Sequence, residues 1–535
     1  MTTIPTEVPA PAVALNGDRP ASGEVTERRS FRPDVRLEPQ GDRLRITYRW
    51  GELTLRQPGA PLVAALHRLQ AGPVSPDELA EGLLRGDRDP RAADTDLATL
   101  HWLLDQLQGI TVCSLWSGGR QLIAAVPLVP RARLAATRPG PDDLVRLSRF
   151  AYLHRHADGL AAESPLSLYR LESTSPEAAA VLTALASVTT TAGLPGQPQI
   201  AYAIACLLIS AGMAGTRSEA AGQRSFAEDD DEVLRQWAFH DLLFHSRSRL
   251  GRHDDDFGAT FPFLGELEPQ PAVRPLPDGP KVPLPRPELA SLLKRDATLT
   301  AAIEARRSVR HYDERPPTVD ELGELLYRTA RVRATLGPEP EHGMPYPATD
   351  RPYPCGGAAY DLDLYLTVRR CEGLEPGGYF YDPLGHQLIW LSQAPGPRQQ
   401  LLHGAFVACG GATVPDVLIT LTARFARLGW KYRGIAYAAT LKHVGVLYQT
   451  FYLVATAMGL APCGLGSGDA DLAARAFGLD WARESSVGEF MLGRRPASFP
   501  DNPVAAAVPS YQPANDAQWV AEAARTIRRP APIYE

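Results

Sequence analysis

The sequence predicts a fold of mixed helices and sheets that is divided into several domains. The chain has 535 residues, enough for about two to four domains. Strand-like alternating runs and amphipathic helical runs follow one another on both sides of a proline-rich stretch. Nine prolines lie from Pro262 to Pro287, where neither a helix nor a central strand can form. We therefore expect an extended linker over residues 261–290, with folded domains on either side.

The charge and the cysteines of the chain indicate which partners, metal sites and cellular compartment to expect. The formal net charge is −6 and the basic residues are dispersed, so we expect no nucleic-acid partner. The six cysteines have no C-x-x-C spacing, which predicts neither a zinc site nor a disulfide framework and favours a reducing cytoplasm. The N-terminus has no export or organelle signal, and its composition predicts a disordered tail over residues 1–30.

The first folded part, residues 31–133, reads as a winged-helix-like module. Strand-like runs over residues 34–56 precede a helix from Pro61 to Leu69, and Ser75 with Glu78 forms a capping box for the next helix. A third helix leads into a hairpin around Ser117-Gly118-Gly119. In an acidic chain such a module is a poor DNA reader, and it offers instead a strand edge to an extended peptide.

Residues 134–260 predict a second module of the same kind. Strand-like runs flank Ala157-Asp158-Gly159, and a helix follows from Pro176, which suggests a tandem repeat of the first module. His240, His245 and His253 fit no zinc-ligand spacing, and we expect no metal site among them.

The C-terminal domain, residues 291–535, contains a candidate phosphate site. Arg306, Ser308 and Arg310 lie at the end of a predicted helix, where two guanidinium groups and a hydroxyl can bind one phosphate. Taken alone, the same residues also fit an ordinary basic surface cluster. Two later glycine-rich segments, Cys355-Gly356-Gly357 and Gly464-Leu465-Gly466, permit close backbone approach to a flat ligand.

Between these two glycine-rich segments lie a predicted buried helix and the candidate catalytic residues. Ile435 to Met458 is apolar almost all the way round, but Lys442, His443 and Gln449 interrupt it, so it predicts a buried helix rather than a membrane span. Directly before it, Lys431 and Tyr432 can form a proton-transfer pair. The plainer alternative is an exposed lysine beside a packed tyrosine.

Five segments in order resemble the nitroreductase-like flavin enzymes, and within them the SagB-type dehydrogenases that oxidise thiazolines and oxazolines in ribosomally made peptides. They lie within residues 291–497 and read RRSVRHY, RPYPCGGA, WKYRGIAY, GLAPCGLGSG and VGEFMLG. The upstream segment FHDLLFHSRSRLGRHDDDFGATF is similar to the stretch that precedes the dehydrogenase domain in that group.

The resemblance implies an α+β fold, an obligate homodimer and FMN bound at the dimer interface. It assigns Arg306, Ser308 and Arg310 to the ribityl phosphate and the pair Lys431 and Tyr432 to catalysis. The other residues that it places on the cofactor are Pro354, Cys355, Gly356, Gly357, Gly464, Leu465, Gly466, Arg494 and Arg495. The family more often has serine at the position of Cys355, and a thiol is the weaker hydrogen-bond donor.

The chemistry of azoline oxidation needs the same groups. Aromatising the ring removes a hydride, which a flavin accepts, and a proton, which a positioned base takes. A lysine can be that base when burial lowers its pKa. The expected partners are an azoline-containing precursor peptide, a second copy of the chain and a cyclodehydratase. Alternatives are an NAD(P)H-dependent nitro- or quinone reductase, a non-catalytic peptide-binding scaffold and, least favoured by charge, a DNA-binding regulator.

Overall fold

The computed structural model describes residues 24–84, 90–392, 395–500, 506–512, 514 and 517–527. The chain forms two compact units, Met1–Asp255 and Asp256–Glu535. Hydrophobic clusters fill each unit. Among the described helices, none has the length and apolar run needed to cross a membrane.

The N-terminal unit alternates short strands with helices. Its described strands are β1 (Val25–Phe31), β2 (Arg36–Gln40), β3 (Arg43–Tyr48), β4 (Gly51–Arg56), β5 (Thr111–Ser117), β6 (Arg120–Pro127), β7 (Leu144–Leu147), β8 (Tyr152–His156), β9 (Gly159–Glu163), β10 (Tyr169–Ser173), β11 (Thr189–Thr190) and β12 (Ala214–Arg217). Its described helices are α1 (Ala60–Ala71), α2 (Pro76–Leu84), α3 (Pro90–Gln106), α4 (Pro176–Ala184), α5 (Pro198–Ser210), α6 (Ala227–Asp230) and α7 (Phe239–Arg247).

Local signals in this unit are confirmed. The backbone N–H of Ser75 donates to Glu78, and that of Glu78 donates to the Ser75 hydroxyl, at 2.9 and 3.1 Å, which is the predicted capping box of α2. The hairpin β5–β6 turns at Gly118 and Gly119, both with positive φ. Four strands, three helices and this hairpin follow one another along the chain, and the winged-helix assignment stays a prediction.

One sheet crosses the predicted boundary between the two modules, and the tandem repeat stays a prediction. One six-stranded sheet has the order β1-β5-β6-β10-β9-β8, so strands from both predicted modules pair across the expected boundary at residues 133 and 134. Leu171 of β10 lies opposite Ala125 of β6. The strands β2, β3 and β4 form a separate three-stranded sheet, and the second half contains another one, with the order β11-β7-β12. Turn chemistry is local, whereas the choice of a strand's partner depends on which edges are free in the folded unit.

The expected tail also ends earlier than predicted. Residues 25–30 belong to β1, which pairs along its whole length with β5. A strand whose N–H and C=O groups are all met by a neighbour can be ordered despite a polar composition. The part of the predicted tail before Glu24 lies outside the described residues.

The C-terminal unit is built on one large sheet with helices around it. Its described strands are β13 (Lys281–Pro283), β14 (Ala334–Leu336), β15 (Ala348–Asp350), β16 (Leu362–Val368), β17 (Gly377–Asp382), β18 (Gln387–Ser392), β19 (Val417–Arg424), β20 (Leu460–Leu465) and β21 (Glu484–Arg494). Its described helices are α8 (Leu289–Arg295), α9 (Leu299–Ala305), α10 (Val319–Ala330), α11 (Pro395–Ala408), α12 (Phe425–Gly429), α13 (Ala436–Ala457), α14 (Ala470–Phe477) and α15 (Ala517–Ile527).

The seven-stranded antiparallel sheet has the order β13-β18-β17-β16-β19-β21-β20. Every residue of β16 and β19 is buried, so both faces of the sheet centre are covered. Leu447 and Phe451 of α13 pack into the main core on this sheet. The α+β fold expected for this unit is therefore confirmed, and α13 begins and ends within one residue of the predicted limits.

The segment expected to be a linker is part of the C-terminal unit. β13 pairs with β18 at the edge of the sheet, where a strand tolerates proline. The carbonyl oxygens of Gln270 and Pro271 accept hydrogen bonds from Arg427 and Arg424, at 2.6 and 2.9 Å. Proline removes N–H donors but leaves its carbonyl free, so buried arginines can hold such a segment in place.

Candidate functional site

The turn that leads into β16 brings several predicted residues together. Gly357 has φ of 59° and an exposed backbone, a conformation that favours glycine. A Cβ atom at this position would lie 2.0 Å from Lys431 Nζ and 3.1 Å from the Tyr432 hydroxyl. The positive φ and this close approach both favour glycine here, and the predicted catalytic pair lies directly against the predicted cofactor-lining turn.

Lys431 is buried, with 8 % of its surface exposed, among aromatic rings. Its Nζ donates to the Tyr346 hydroxyl, which in turn donates to the Gly357 carbonyl at 2.8 Å. The ammonium lies 4.5 Å from the Tyr346 ring centre and 5.0 Å from that of Tyr432. In the described part of the chain, no carboxylate forms an ion pair with it. A phenol and aromatic rings therefore hold Lys431 Nζ beside the Gly357 turn.

His443 of α13 anchors the same turn from its other side. The Gly356 N–H donates to His443 Nε2 at 3.0 Å, and His443 Nδ1 lies 2.8 Å from Asp361 Oδ1. The other oxygen of Asp361 accepts from Thr440 at 2.6 Å. Cys355 Sγ lies 3.5 Å from Nδ1 and accepts the Tyr360 N–H at 3.1 Å. These atoms form a hydrogen-bonded network that fixes the backbone at Gly356.

The protonation of His443 follows from this geometry. Burial lowers the pKa of His443, and the hydrogen bonds with Asp361 and Cys355 act in the opposite direction. A protonated ring is nevertheless incompatible with the Gly356 N–H, which can donate to Nε2 only when that nitrogen has no proton. We assign the neutral ring with its proton on Nδ1, because the backbone fixes the direction of the Gly356 donor.

Cys355, Asp361 and His443 also have the composition of a metal site. One ligand atom from each lies within 4.8 Å of the others. The separation of 2.8 Å between His443 Nδ1 and Asp361 Oδ1 is that of a hydrogen bond. All three side chains already have hydrogen-bond partners, so the network accounts for them without an ion.

The predicted phosphate residues form a second group beside β20. Ser308 Oγ lies 2.8 Å from the Tyr452 hydroxyl, which accepts the Gly464 N–H at 2.7 Å. The Arg306 guanidinium lies 5.3 Å from the Tyr452 ring centre. Burial raises the pKa of the Cys463 thiol, and the cation of Arg310 nearby opposes that rise. Within the described residues, neither Arg306 nor Arg310 has a carboxylate partner, which fits an anion site.

The segment predicted as a glycine turn is partly a strand. Gly464 and Leu465 belong to β20 and pair with Phe490 and Glu489 of β21, so the exposed turn begins only at Gly466. A Cβ atom at Gly464 would lie 3.0 Å from the ring of Tyr448, a residue of α13. The tyrosine ring therefore fills the space that a side chain at position 464 would need. Strand pairing here depends on β21, which lies about twenty residues further along and gives no local signal.

Glu489 is a buried acid beneath this turn. Its carboxyl would lie 2.9 Å from a Cβ atom at Gly468, and its Oε1 has no hydrogen-bond partner in the described part of the protein. Burial, together with the negative charge of Asp469, raises the pKa of Glu489 to about 7.

Three further residues are predicted to contact the cofactor: Arg494, Pro354 and Arg495. Arg494 forms an ion pair with Glu321 of the α10 capping box at 2.6 Å, so its guanidinium is engaged inside the unit. This pairing argues against its assignment to the cofactor. Pro354 is exposed beside the Cys355 turn, and Arg495 follows Arg494 after β21. Their assignment stays a prediction.

α13 connects the two groups of residues. It carries His443 to the first and Tyr452 to the second, and nine helical residues span about 14 Å. Sequence reasoning missed Tyr346, Asp361, His443 and Glu489. His443 interrupts an apolar helix, which is a signal for a buried polar partner, whereas Tyr346 lies in a loop with no pattern that marks it.

Comparison with known proteins finds two family matches in this chain. Residues 145–254 match the cyanobactin oxidase ThcOx family, and residues 303–494 match the nitroreductase family. A protein of Methanocaldococcus jannaschii described as a nitroreductase is 30% identical over 165 residues, which is 30% of this chain and 75% of that protein.

Solved structures also match. A nitroreductase-type protein of Ralstonia eutropha is 19% identical, with 43% of this chain and 99% of that chain covered and a TM-score of 0.31. The Escherichia coli microcin synthetase complex McbBCD with truncated pro-MccB17 bound is 19% identical. The match covers 51% of this chain and 99% of that chain, with a TM-score of 0.29. A Desulfovibrio desulfuricans protein of the nitroreductase type in complex with FMN is also 19% identical. The match covers 41% of this chain and 99% of that chain, with a TM-score of 0.24. At these scores the likeness carries no functional argument.

Proposed function

Because this chain belongs to the nitroreductase family, we propose that it is an FMN-dependent dehydrogenase that oxidises thiazolines, oxazolines or both in a ribosomally synthesised peptide. The match to the cyanobactin oxidase family in the preceding segment supports the choice of a peptide substrate. The observation that carries the proposal is the placement of Lys431 and Tyr432 against the Gly356-Gly357 turn.

The residues of the C-terminal unit fit FMN. Arg306 and Arg310 would hold its phosphate together with Ser308, since both guanidinium groups lack a carboxylate partner among the described residues. The exposed backbone of Gly357 and the turn from Gly466 would lie along its ring. When bound, FMN would supply the acceptor for the hydride that leaves the azoline.

The protein's own residues would manage the proton. In the proposed reaction Lys431 Nζ takes the ring proton, and the Tyr346 hydroxyl, already its hydrogen-bond partner, holds Nζ in place. Tyr432 lies beside it and orients the substrate or relays the proton. The His443–Asp361 pair keeps the Gly356 N–H fixed at this site, so that the turn does not move during catalysis.

The reaction class is tested by mass. The full-length protein is incubated with a peptide that carries one thiazoline or one oxazoline, and the peptide is then weighed by mass spectrometry. The loss of two hydrogens from each ring is expected, because aromatisation removes one hydride and one proton. An unchanged peptide mass, with the flavin bound and the protein folded, would contradict the proposal.

The cofactor site is tested by replacing Arg306 and Arg310 with alanine. Each charge-assisted hydrogen bond to a phosphate contributes about 1.5–3 kcal/mol, so the double variant should lose FMN on dilution. The measurement is flavin absorbance after gel filtration. Arg307→Ala is the matched control, since the Arg307 guanidinium donates to the carbonyls of Glu304 and Arg306. Equal flavin content in all three proteins would place the phosphate elsewhere.

An NAD(P)H-dependent nitro- or quinone reductase is the second candidate. The nitroreductase-type relative from Methanocaldococcus jannaschii favours it. Oxidation of NADPH that depends on a nitroaromatic or a quinone, with no change in an azoline peptide, would support this alternative.

The proposed partners are a second copy of the chain, the precursor peptide and a cyclodehydratase that forms the azolines. Peptide binding is assigned to the N-terminal unit, with a free sheet edge as its means. All six cysteines are free thiols, which fits the proposed location in the cytoplasm.

A further inference from the structure

The N-terminal unit has a concave pocket lined by arginines that no described acidic residue neutralises. It lies at the C-terminal end of α7, next to the chain that follows β9, and has a volume of about 420 Å³. Three arginines, Arg131, Arg249 and Arg252, line it together with the apolar side chains of Leu166, Leu242 and Trp237. We call it the arginine pocket.

The arginines of this pocket have no acidic partner among the described residues. In the part of the chain that the structure describes, Arg252 donates only to the carbonyls of Pro165 and Leu166, at 3.2 and 3.3 Å. Arg131 and Arg249 take part in no ion pair in that part of the chain. Burial and the like charge of Arg131 both lower the pKa of Arg252, as expected where cations gather without compensation.

Neighbouring arginines of the same unit are paired, so carboxylates are not scarce there. Arg247, on the same helix as Leu242, contacts Glu163 at 2.7 Å. Arg170 contacts Asp254 at 3.0 Å. The nearby acids are thus used to neutralise structural arginines, and the pocket arginines remain available to an anion from outside.

We propose that the arginine pocket binds an acidic side chain of a peptide, with an apolar neighbour of that residue against Trp237 and Leu242. Guanidinium groups bind carboxylates in a planar, two-pronged geometry. The apolar wall favours a peptide over a nucleic acid, whose backbone offers no aliphatic side chains. The chain's net charge of −6 also opposes a long polyanion. The site extends the proposed peptide binding by this unit and is separate from flavin chemistry.

The test uses the full-length protein and two fluorescein-labelled hexapeptides, one alternating leucine with glutamate and the other alternating leucine with glutamine. Binding is followed by fluorescence anisotropy at low salt. We expect the glutamate peptide to bind at least about tenfold more tightly, and its affinity to fall as NaCl is raised. Arg249→Glu and Arg252→Glu should each remove about tenfold of that affinity.

A charge-matched control separates the pocket from the general field of the protein. Arg56→Glu changes an exposed arginine of β4 by the same charge and should leave binding unaltered. Equal affinity for the two peptides, or an equal loss in Arg56→Glu, would overturn the proposal. A single-stranded hexanucleotide that displaces the probe better than unlabelled glutamate peptide would overturn it as well. None of these outcomes depends on azoline oxidation, which is measured separately.

Discussion

Among the described residues, the Tyr346 hydroxyl and aromatic faces hold Lys431, and no carboxylate pairs with it. Lys431→Ala should retain FMN, because the lysine is not assigned to the phosphate, but lose about 10²–10⁴-fold in turnover. Lys431→Arg should not restore it, since a guanidinium stays protonated. Tyr432→Phe should cost less if the hydroxyl only orients the substrate. Turnover is measured by peptide mass.

Lys442 provides the control for Lys431, because it is an exposed lysine of α13 close to it in sequence. Lys442→Ala should oxidise the peptide at the normal rate. If Lys431→Ala did so too, with unchanged flavin occupancy, the proton would leave by another route.

Glu489 predicts a pH dependence of stability. Its pKa is raised to about 7, so between the ordinary pKa of 4.5 and 7 the folded protein keeps a proton that the unfolded chain has lost. Its contribution to stability is therefore present below that window and falls as the pH rises through it. Glu489→Gln should not show this loss. The difference in the free energy of unfolding between the variant and the native protein should therefore be more favourable to the variant at pH 8 than at pH 4, by on the order of 1–3 kcal/mol. Denaturant unfolding at both values is the measurement, and an identical difference at the two would refute it.

At the scale of elements, α13 explains why the proposed enzyme would need a second copy. The helix is apolar on nearly every side, yet Tyr437 and Leu441 are 47% and 39% exposed in the single chain. They lie four residues apart and so share one face. An apolar helix face left in water predicts a partner, which fits the proposed homodimer.

Leu441→Glu should break this contact, because it buries a charge without a counter-ion. We expect a monomer in light scattering and reduced FMN, since the cofactor is assigned to the dimer interface. Leu384→Glu is the control, as Leu384 is an exposed leucine of the same unit outside the helix. A Leu441→Glu protein that stays dimeric with full flavin would locate the interface elsewhere.

At the scale of the whole molecule, the two units are assigned different tasks. A protein that begins at Asp256 should keep FMN, since every residue assigned to the cofactor lies after that point. Its oxidation of the peptide should fall at low peptide concentration and recover at high concentration, because affinity rather than chemistry is lost. Full activity at low peptide concentration would remove the binding role of the N-terminal unit. Far-ultraviolet circular dichroism checks that the shortened protein is folded.

The sequence alone determined the features that depend on near neighbours. The limits of α13, the capping box of α2 and the glycines at the Cys355 turn follow from residues within a few positions of each other. The Lys431-Tyr432 pair was visible for the same reason, since the two are adjacent. Local propensity and turn chemistry are properties of short segments, so they can be read without the fold.

Only the tertiary structure decided which distant residues meet. Tyr346 and Lys431 are 85 positions apart, Asp361 and His443 are 82 apart, and Arg494 reaches Glu321 across 173. The joining of both N-terminal segments in one sheet and the absorption of residues 261–290 into the C-terminal unit are decided in the same way. Such contacts depend on which edges and buried polar groups remain free once the sheets have formed, and no short segment carries that information.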